Sequence, residues 1–315
     1  MRNALDKVFR ENLITRIWNK DPSVWKKDQD EISNRLGWLF SPKKSSEICP
    51  QIKKFVRQFF KEGYHHALLL GMGGSSLTAE VLGTVFKTSS GHLDLSILDS
   101  TDPGAVLRYK ESLNPEKTLF LVSSKSGTTV ETVSFFYFFY NWARESLSEA
   151  RAGSHFLAIG DPGTPLEEIA RRFCFRYFFA GEPDIGGRFS VFSPFGLVPA
   201  ALKGIEIEKL VRSGQEMAYL CRNVSPQENP AILLGTILGV LALASRDKAT
   251  FILSPPLERF AFWLEQLLAE STGKQGKGIL PVVGEPVASP DLYGPDRFFI
   301  FLILEGDETQ RPSFK

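Results

Sequence analysis

The chain has 315 residues, a length that predicts two domains. Of these residues, 43% are hydrophobic and 23% are charged, a composition typical of a globular protein. Its 37 basic and 36 acidic residues leave a net charge of +1, so no basic face is indicated and nucleic acid is not expected as a partner. A phosphorylated metabolite requires only local positive potential, so this balance does not exclude such a ligand.

Cysteine usage and the N-terminus predict a cytoplasmic location. Cys49, Cys174 and Cys221 form no CxxC pair, and such an odd, sparse set argues against a disulfide framework or a zinc site. The N-terminus carries charges throughout and lacks the apolar core of a signal peptide. The strongest apolar run, residues 231–245, is shorter than the roughly 20 residues that cross a bilayer. It predicts a fully buried helix, and no membrane is expected as a partner.

In chain order, hydrophobic periodicity predicts a helical segment followed by alternating strands and helices. Residues 1–45 show amphipathic helical spacing. Residues 46–182 form a first domain, in which five strands alternate with helices. This alternation predicts a doubly wound parallel sheet that binds ligands at the carboxyl ends of its strands. The predicted strands are 67–70, 93–98, 119–122, 155–159 and 175–179.

Residues 183–315 are predicted to form a second domain of the same α/β class, and this domain is expected to be incomplete. The Gly-, Pro- and Asp-rich residues 181–190 indicate the linker into it. Helical patterns dominate residues 194–244, and two strong strands follow at 251–253 and 298–304. Because two strands make a marginal sheet, we expect a truncated domain, part of a longer polypeptide, or a homodimer whose partner covers the last strand.

A glycine-rich turn, GMGGSS, follows the first predicted strand at residues 71–76. Its glycines let the backbone approach a ligand closely, and the helix that follows attracts anions at its N-terminus. The turn lacks the third glycine of a GxGxxG dinucleotide motif and the GK[ST] ending of a Walker loop. Taken alone, it is explained equally well as an ordinary strand–helix turn.

A second polar turn, SSKSGTT, follows the third predicted strand at residues 123–129. It supplies five hydroxyls and one ammonium group at the start of a helix. Helix capping accounts for one or two of these hydroxyls, but not for five at the same sheet edge as Ser75. Hydroxyl donors next to free backbone N–H groups form a phosphate cradle without a large net charge, and the sequence therefore predicts a phosphate site here.

Four motifs follow one another along the chain: GMGGSSL at 71–77, SSKSGTTVET at 123–132, GGRFSVFSPFGL at 186–197 and QLLAESTGKQGKG at 266–278. Together they resemble the glucose-6-phosphate isomerases, which are built from two sugar-isomerase (SIS) domains. The resemblance is greatest to the isomerase portion of the bifunctional transaldolase/glucose-6-phosphate isomerases. It implies a fold of two SIS-type domains and a phosphosugar substrate. It also implies interconversion of glucose 6-phosphate and fructose 6-phosphate, a step of glycolysis and gluconeogenesis, without metal or organic cofactor.

The resemblance also assigns roles to individual residues. It implies that Glu270 is the base that carries a proton between C2 and C1, and that Arg188 stabilises the enediolate formed in between. Aldose–ketose isomerisation requires both groups: a base near a weakly acidic carbon and a fixed cation beside the oxygen that becomes negative. The implied substrate-binding residues are Gly74, Ser75, Ser124, Lys125, Ser126, Thr129, Gly187 and Gln266.

The sequence departs from the family's pattern in the groups that open the sugar ring. The family uses a histidine some tens of residues after the base, donated by the other subunit, and a lysine near the end of the chain. Here residues 286–297 contain no histidine, and all four histidines precede Glu270. Two alternatives therefore stay open: a non-catalytic phosphosugar-binding or regulatory module, and an isomerase for another phosphosugar such as a mannose or amino-sugar phosphate.

Overall fold

Two parallel β-sheets organise the chain, one in each of two structural units. The computed structural model describes residues 1–307, so the last eight residues of the predicted second domain lie outside the described residues. One unit runs from Asn34 to Gly214, and the other joins Met1–Ser33 to Gln215–Lys315. The predicted fold class, an α/β protein with parallel sheets, is confirmed.

The unit Asn34–Gly214 contains a five-stranded parallel sheet with the strand order β2-β1-β3-β4-β5. All six residues of the central strand β3 are buried, because helices cover both faces of the sheet. Such a strand shows a continuous apolar run and no alternation, which is the pattern that the sequence displays. The strands are β1 (His66–Gly71), β2 (Asp94–Leu98), β3 (Thr118–Ser123), β4 (Phe156–Gly160) and β5 (Tyr177–Ala180).

Helices pack on the two faces of this sheet and form two separate apolar cores. Successive strand residues point to opposite faces, so Leu69 and Leu121 enter one core while Leu68 and Phe120 enter the other. The helices are α3 (Ser41–Lys61), α4 (Leu77–Val85), α5 (Pro103–Ser112), α6 (Val130–Leu147), α7 (Glu149–Ala152), α8 (Pro165–Arg172) and α9 (Pro194–Leu202), and α10 (Ile207–Leu220) begins here. Helices α3, α4 and α9 line the first core, and α5, α6 and α8 line the second.

Aromatic rings from α6 fill the second core. Phe136 is fully buried, and its ring centroid lies 5.1 Å from that of Phe173, 5.2 Å from Phe175 and 5.7 Å from Phe156. Neighbouring Tyr137 lies at the exposed edge of this core: it is 43% exposed, and its ring centroid lies 5.9 Å from that of Phe173. Helix α6 thus packs on this face of the sheet through a stripe of aromatic side chains.

Residues 183–214 belong to the same unit as the five-stranded sheet, whereas the sequence placed them in a second domain behind a linker. Every residue of α9 is buried, and Ile185 within the expected linker is buried too. A side chain at Gly196 would lie 2.2 Å from the carbonyl oxygen of Val191, so the chain packs tightly at this point. The Gly- and Pro-rich composition here serves close packing and does not mark the boundary between the two units.

The second unit contains a three-stranded parallel sheet with the strand order β7-β6-β8. The sequence predicted two strands in this region. It missed β7, which is only three residues long and contains Pro281. The strands are β6 (Lys248–Leu253), β7 (Leu280–Val282) and β8 (Arg297–Leu302), and the helices are α1 (Arg2–Arg10), α2 (Leu13–Trp18), α11 (Pro230–Leu243) and α12 (Glu258–Thr272).

Helix α11 carries the strongest apolar run, and the prediction that it is fully buried was wrong. None of its residues is buried in the described part of the chain, and Leu243 is 84% exposed. Leu238 and Leu241 pack on the core of the three-stranded sheet, so one side of the helix contacts that core. Within residues 1–307, no helix is both long and apolar enough to span a membrane.

The α6 core predicts a large difference between two neighbouring substitutions. Phe136→Ala removes a fully buried ring and leaves a cavity, so it should lower the free energy of unfolding by about 3–5 kcal/mol. Tyr137→Ala, at the exposed edge of the same core, should cost about 1 kcal/mol. Urea denaturation followed by fluorescence measures both. Equal losses for the two variants would show that the α6 aromatic stripe does not carry this core.

Candidate functional site

The order of the strands reverses at β1, and this reversal defines the candidate site. From β1 the chain crosses to β2 on one side and later returns to place β3 on the other side. Helix α4, which follows β1, packs on one face of the sheet, while α6, which follows β3, packs on the opposite face. Such a reversal opens a crevice at the carboxyl ends of the two strands, where α/β proteins bind ligands. Both polar motifs follow these strands.

The first loop (residues 72–76) connects β1 to α4. Gly73 has a φ of +53°, a conformation that favours glycine, and Ser75 is half-buried. The Oγ atom of Ser123, at the end of β3, donates a hydrogen bond of 2.9 Å to the carbonyl oxygen of Ser75. The two strand ends are therefore joined directly, and the first loop is held beside the second.

The second loop (residues 124–129) connects β3 to α6 and is organised by its own hydroxyls. Ser124 is buried; its Oγ donates to Oγ1 of Thr129 at 3.2 Å and accepts from the backbone N–H of Gly127 at 3.1 Å. Ser126 is exposed, and its Oγ accepts two hydrogen bonds from Thr128. The loop therefore presents hydroxyl groups that are already oriented by one another.

The N-terminus of α6 adds backbone donors to this loop. Thr129 occupies the N-cap position but makes no side-chain capping hydrogen bond, so the first amides of this 18-residue helix lack a side-chain acceptor. These N–H groups lie at the positive end of the helix dipole. Together with the loop hydroxyls, they form an arrangement suited to a phosphate group.

Arg188 is brought to the first loop by a close approach of two backbones. A Cβ atom on Gly74 would lie 2.5 Å from the carbonyl carbon of Gly187 and 3.0 Å from the nitrogen of Arg188. The Oγ of Ser190 donates to the carbonyl oxygen of Gly187 at 2.6 Å and also lies 3.3 Å from the carbonyl oxygen of Gly74. The guanidinium of Arg188 lies over the ring of Phe189 at 4.7 Å. Only a residue without a side chain fits at position 74.

Lys125 extends from the second loop to two partners. Its Nζ donates to Oδ2 of Asp161 at 2.5 Å and to the carbonyl oxygen of Glu182 at 2.9 Å. Sequence reasoning did not select Asp161. The available signal was its position directly after β4, at the same sheet edge as the other motifs.

The remaining predicted residues, Gln266 and Glu270, lie on α12 in the other unit. They are one helical turn apart on one face, and Nε2 of Gln266 donates to Oε1 of Glu270 at 2.8 Å. The Nζ of Lys274 donates to the backbone carbonyl of Glu270 at 2.7 Å. Glu270 is exposed and Gln266 is half-buried. The glutamine amide therefore orients the carboxylate.

The described residues form no metal-binding cluster, and His155 is a core residue. Among residues 1–307, no group of three or more His, Cys, Asp or Glu side chains is placed to hold a metal ion. His155 is buried at the start of β4, where its Nδ1 lies 3.3 Å from the carbonyl oxygen of Thr118. Burial lowers the pKa of His155, which favours its neutral form in the core.

A separate cavity of about 710 Å³ lies beside α8 and the edge strand β5. Thr164, Arg171, Phe175 and Tyr177 are among the residues that line it. None of the predicted site residues lines this cavity. The cavity is therefore distinct from the predicted phosphate site.

Comparisons with known proteins agree on one family. Residues 49–279 match the family model described as phosphoglucose isomerase. The chain is 32% identical over 253 residues to a glucose-6-phosphate isomerase from Carboxydothermus hydrogenoformans, a match that covers 76% of this chain and 53% of that protein. It is 36% identical to a probable glucose-6-phosphate isomerase from Haloquadratum walsbyi, covering 68% of this chain and 49% of that protein. The chain thus spans about half the length of the curated relatives it matches.

Solved structures show the same fold. A hypothetical protein from Thermus thermophilus matches with a TM-score of 0.72 and 26% identity, covering 90% of this chain and 66% of that one. A glucose-6-phosphate isomerase from Chlamydia trachomatis matches with a TM-score of 0.67 and 22% identity, covering 86% of this chain and 53% of that one. The second similarity concerns the fold alone.

The close approach at Gly74 predicts the effect of a single added methyl group. Gly74→Ala forces the backbones of the first loop and of Gly187 apart, and should lower the free energy of unfolding by about 1–3 kcal/mol. Gly235→Ala is a suitable control, because Gly235 lies within α11 with nothing within 4 Å of the added Cβ. Helix propensity predicts that this control stabilises the protein by about 1 kcal/mol. Thermal unfolding measures both, and a neutral Gly74→Ala would contradict the packing described.

Proposed function

The chain belongs to the phosphoglucose isomerase family, and we propose that it binds a 6-phosphosugar and serves the interconversion of glucose 6-phosphate and fructose 6-phosphate. The observation that supports this proposal best is the hydrogen bond that joins the first loop to the end of β3, directly before the second loop, at the reversal of strand order. Each loop contributes the start of a helix and a set of hydroxyls, which together suit a phosphate dianion.

In this proposal, the phosphate oxygens accept hydrogen bonds from the hydroxyls of Ser75, Ser124, Ser126 and Thr129, and from the first amides of α6. Lys125 supplies a charged donor from the same loop. Hydrogen bonds to a charged group contribute about 1.5–3 kcal/mol each, so a few of them suffice for micromolar binding. The glycines at positions 74 and 187 keep the backbone close to the ligand.

The proposed reaction is a proton transfer through an enediolate. Glu270 removes the proton from C2 of the open-chain aldose, the electron pair of the C–H bond forms a C1–C2 double bond, and negative charge develops on O1. Arg188 stabilises that charge, because a positively charged guanidinium beside the oxygen offsets the negative charge that develops there. Glu270 then returns the proton to C1, and the hydroxyl proton of O2 passes to O1 to complete the ketose. Gln266 keeps the carboxylate oriented.

The homodimer and the cytoplasmic location stay predictions. Apolar side chains of α11 and β8, such as Leu234 and Phe301, are exposed in this chain and would be covered in a homodimer. Sedimentation of the full chain measures its oligomeric state.

The phosphate site predicts a loss of affinity when a buried hydroxyl is removed. Ser124→Ala deletes one donor to the phosphate and the bond that orients Thr129, so the dissociation constant for fructose 6-phosphate should rise roughly 10- to 100-fold. Ser146→Ala removes an exposed hydroxyl near the far end of α6, where it bonds a backbone carbonyl, and should leave the constant unchanged. Calorimetric titration measures both. Equal affinities in the two variants would place the phosphate elsewhere.

The assignment of the base predicts a loss of turnover without a loss of binding. Glu270→Gln keeps the shape and the contact with Gln266 but cannot accept the proton, so kcat should fall roughly 100- to 10,000-fold. Glu265→Gln, an exposed change on the same helix, should leave kcat unchanged. A coupled assay with fructose 6-phosphate gives kcat and KM for each variant. Tight binding by the unmodified chain without any turnover would instead identify a non-catalytic binding module.

A further inference from the structure

Three successive loops at the carboxyl edge of the sheet are joined through the side chain of Lys125. This residue lies in the second loop, after β3. Asp161, which accepts from its ammonium group, follows β4 directly, and Glu182, whose carbonyl oxygen accepts a second hydrogen bond, follows β5. The backbone N–H of Asp161 also donates to the carbonyl oxygen of Lys125 at 3.2 Å. Lys125 and Asp161 are therefore linked through both their side chains and their backbones.

Asp161 is held in place from several sides. Its side chain is 13% exposed, and its backbone carbonyl accepts a hydrogen bond of 2.8 Å from Oγ1 of Thr164. A Cβ on Gly181 would lie 2.6 Å from Oδ1 of Asp161 and 2.8 Å from the ring of Phe195, so glycine at this position makes room for the carboxylate. The hydrogen bond from Thr164 and the close packing at Gly181 thus restrict the position of Asp161 beside Lys125.

The carboxylate uses one oxygen on Lys125, while the other is left buried. Among the described residues, Oδ1 of Asp161 makes no hydrogen bond and is inaccessible to solvent. A buried carboxylate with an unsatisfied oxygen is costly unless a cation stands beside it. Among the described residues, the ammonium group of Lys125 is the only hydrogen-bond partner of the Asp161 carboxylate.

We propose that Asp161 is a positioning residue for phosphate recognition, which holds the ammonium group of Lys125 in place for one phosphate oxygen. An ammonium group has three donors, and within residues 1–307 Lys125 engages two of them, on Asp161 and Glu182. Because the ammonium group is tetrahedral, these two hydrogen bonds fix the direction of the third N–H donor. The long lysine side chain is then ordered before the ligand arrives, so binding does not bear that entropy cost. This inference rests on the proposed function, since it takes Lys125 to contact the 6-phosphate.

The pair has a second consequence for the charge of the site. Lys125 and Asp161 cancel one another, so phosphate is recognised mainly by oriented hydroxyl and amide dipoles. Binding should therefore depend weakly on ionic strength. Asp161→Asn keeps the shape and an acceptor but leaves the lysine charge unbalanced, and binding of inorganic phosphate should then weaken more steeply as salt is added.

A double-mutant cycle on the full chain tests the positioning role, with calorimetric titration of fructose 6-phosphate as the measurement. Lys125→Met should raise the dissociation constant about tenfold or more, and Asp161→Ala should raise it by a similar factor. In the double variant the constant should be no higher than for Lys125→Met alone, because Asp161 acts through the lysine. A merely structural Asp161 would give losses that multiply.

The ion pair between Lys53 and Glu208 provides the control, since its N···O distance is also 2.5 Å and its carboxylate, at 38% exposure, is more exposed than that of Asp161. Glu208→Ala should leave phosphosugar binding unchanged. Unchanged binding by both Asp161→Ala and Asp161→Asn, with the Lys125→Met effect intact, would overturn this inference and leave the proposed function standing. Unchanged binding by Lys125→Met would instead refute the phosphate contact of Lys125. If Asp161→Ala does not fold, Asp161→Asn and its salt series decide the question.

Discussion

The reversal of strand order between β1 and β3 is the constraint on which the candidate site depends. Parallel strands bring their carboxyl ends to one edge, and right-handed crossovers send α4 and α6 to opposite faces of the sheet. The two helices therefore lie on opposite sides of adjacent strands, and the loops that precede them both start at the carboxyl ends of these strands. Residues far apart in sequence, such as Ser75 and Ser123, then meet through a direct hydrogen bond.

Dipoles, rather than net charge, characterise the site that this geometry creates. In the described structure, the loop hydroxyls hydrogen bond to one another, as Ser124 does to Thr129 and Thr128 to Ser126. A bound phosphate would replace these neutral contacts with charge-assisted bonds, which are about twice as strong. The hydroxyls are meanwhile kept near their binding positions, so little reorganisation is needed. This explains how a chain with a net charge of +1 can be suited to an anionic ligand.

The sequence predicted the five-stranded sheet and both loops because buried parallel strands give continuous apolar runs that end at polar turns. It missed β7, whose three residues include a proline, and it took the glycines and proline of residues 181–190 for a linker. Burial of α11 could not be predicted, because an apolar run does not reveal which neighbours cover it. Asp161 was also missed: a single aspartate after a strand is common, and only the position of Lys125 gives it meaning.

The candidate groups are divided between the two units, with Arg188 in the same unit as the two loops and Glu270 in the other. The proposed phosphate-binding residues all lie in the unit Asn34–Gly214, which contains the five-stranded sheet and its two cores. Glu270 and Gln266 lie on α12 in the other unit. That unit has a smaller sheet, and several of its large apolar side chains are exposed. If the proposed function holds, a phosphate anchor in the unit with the larger sheet would hold a non-reacting part of the substrate rigidly. The binding energy gained there would be available to orient the reacting carbons, which is the use that enzymes make of remote phosphate groups.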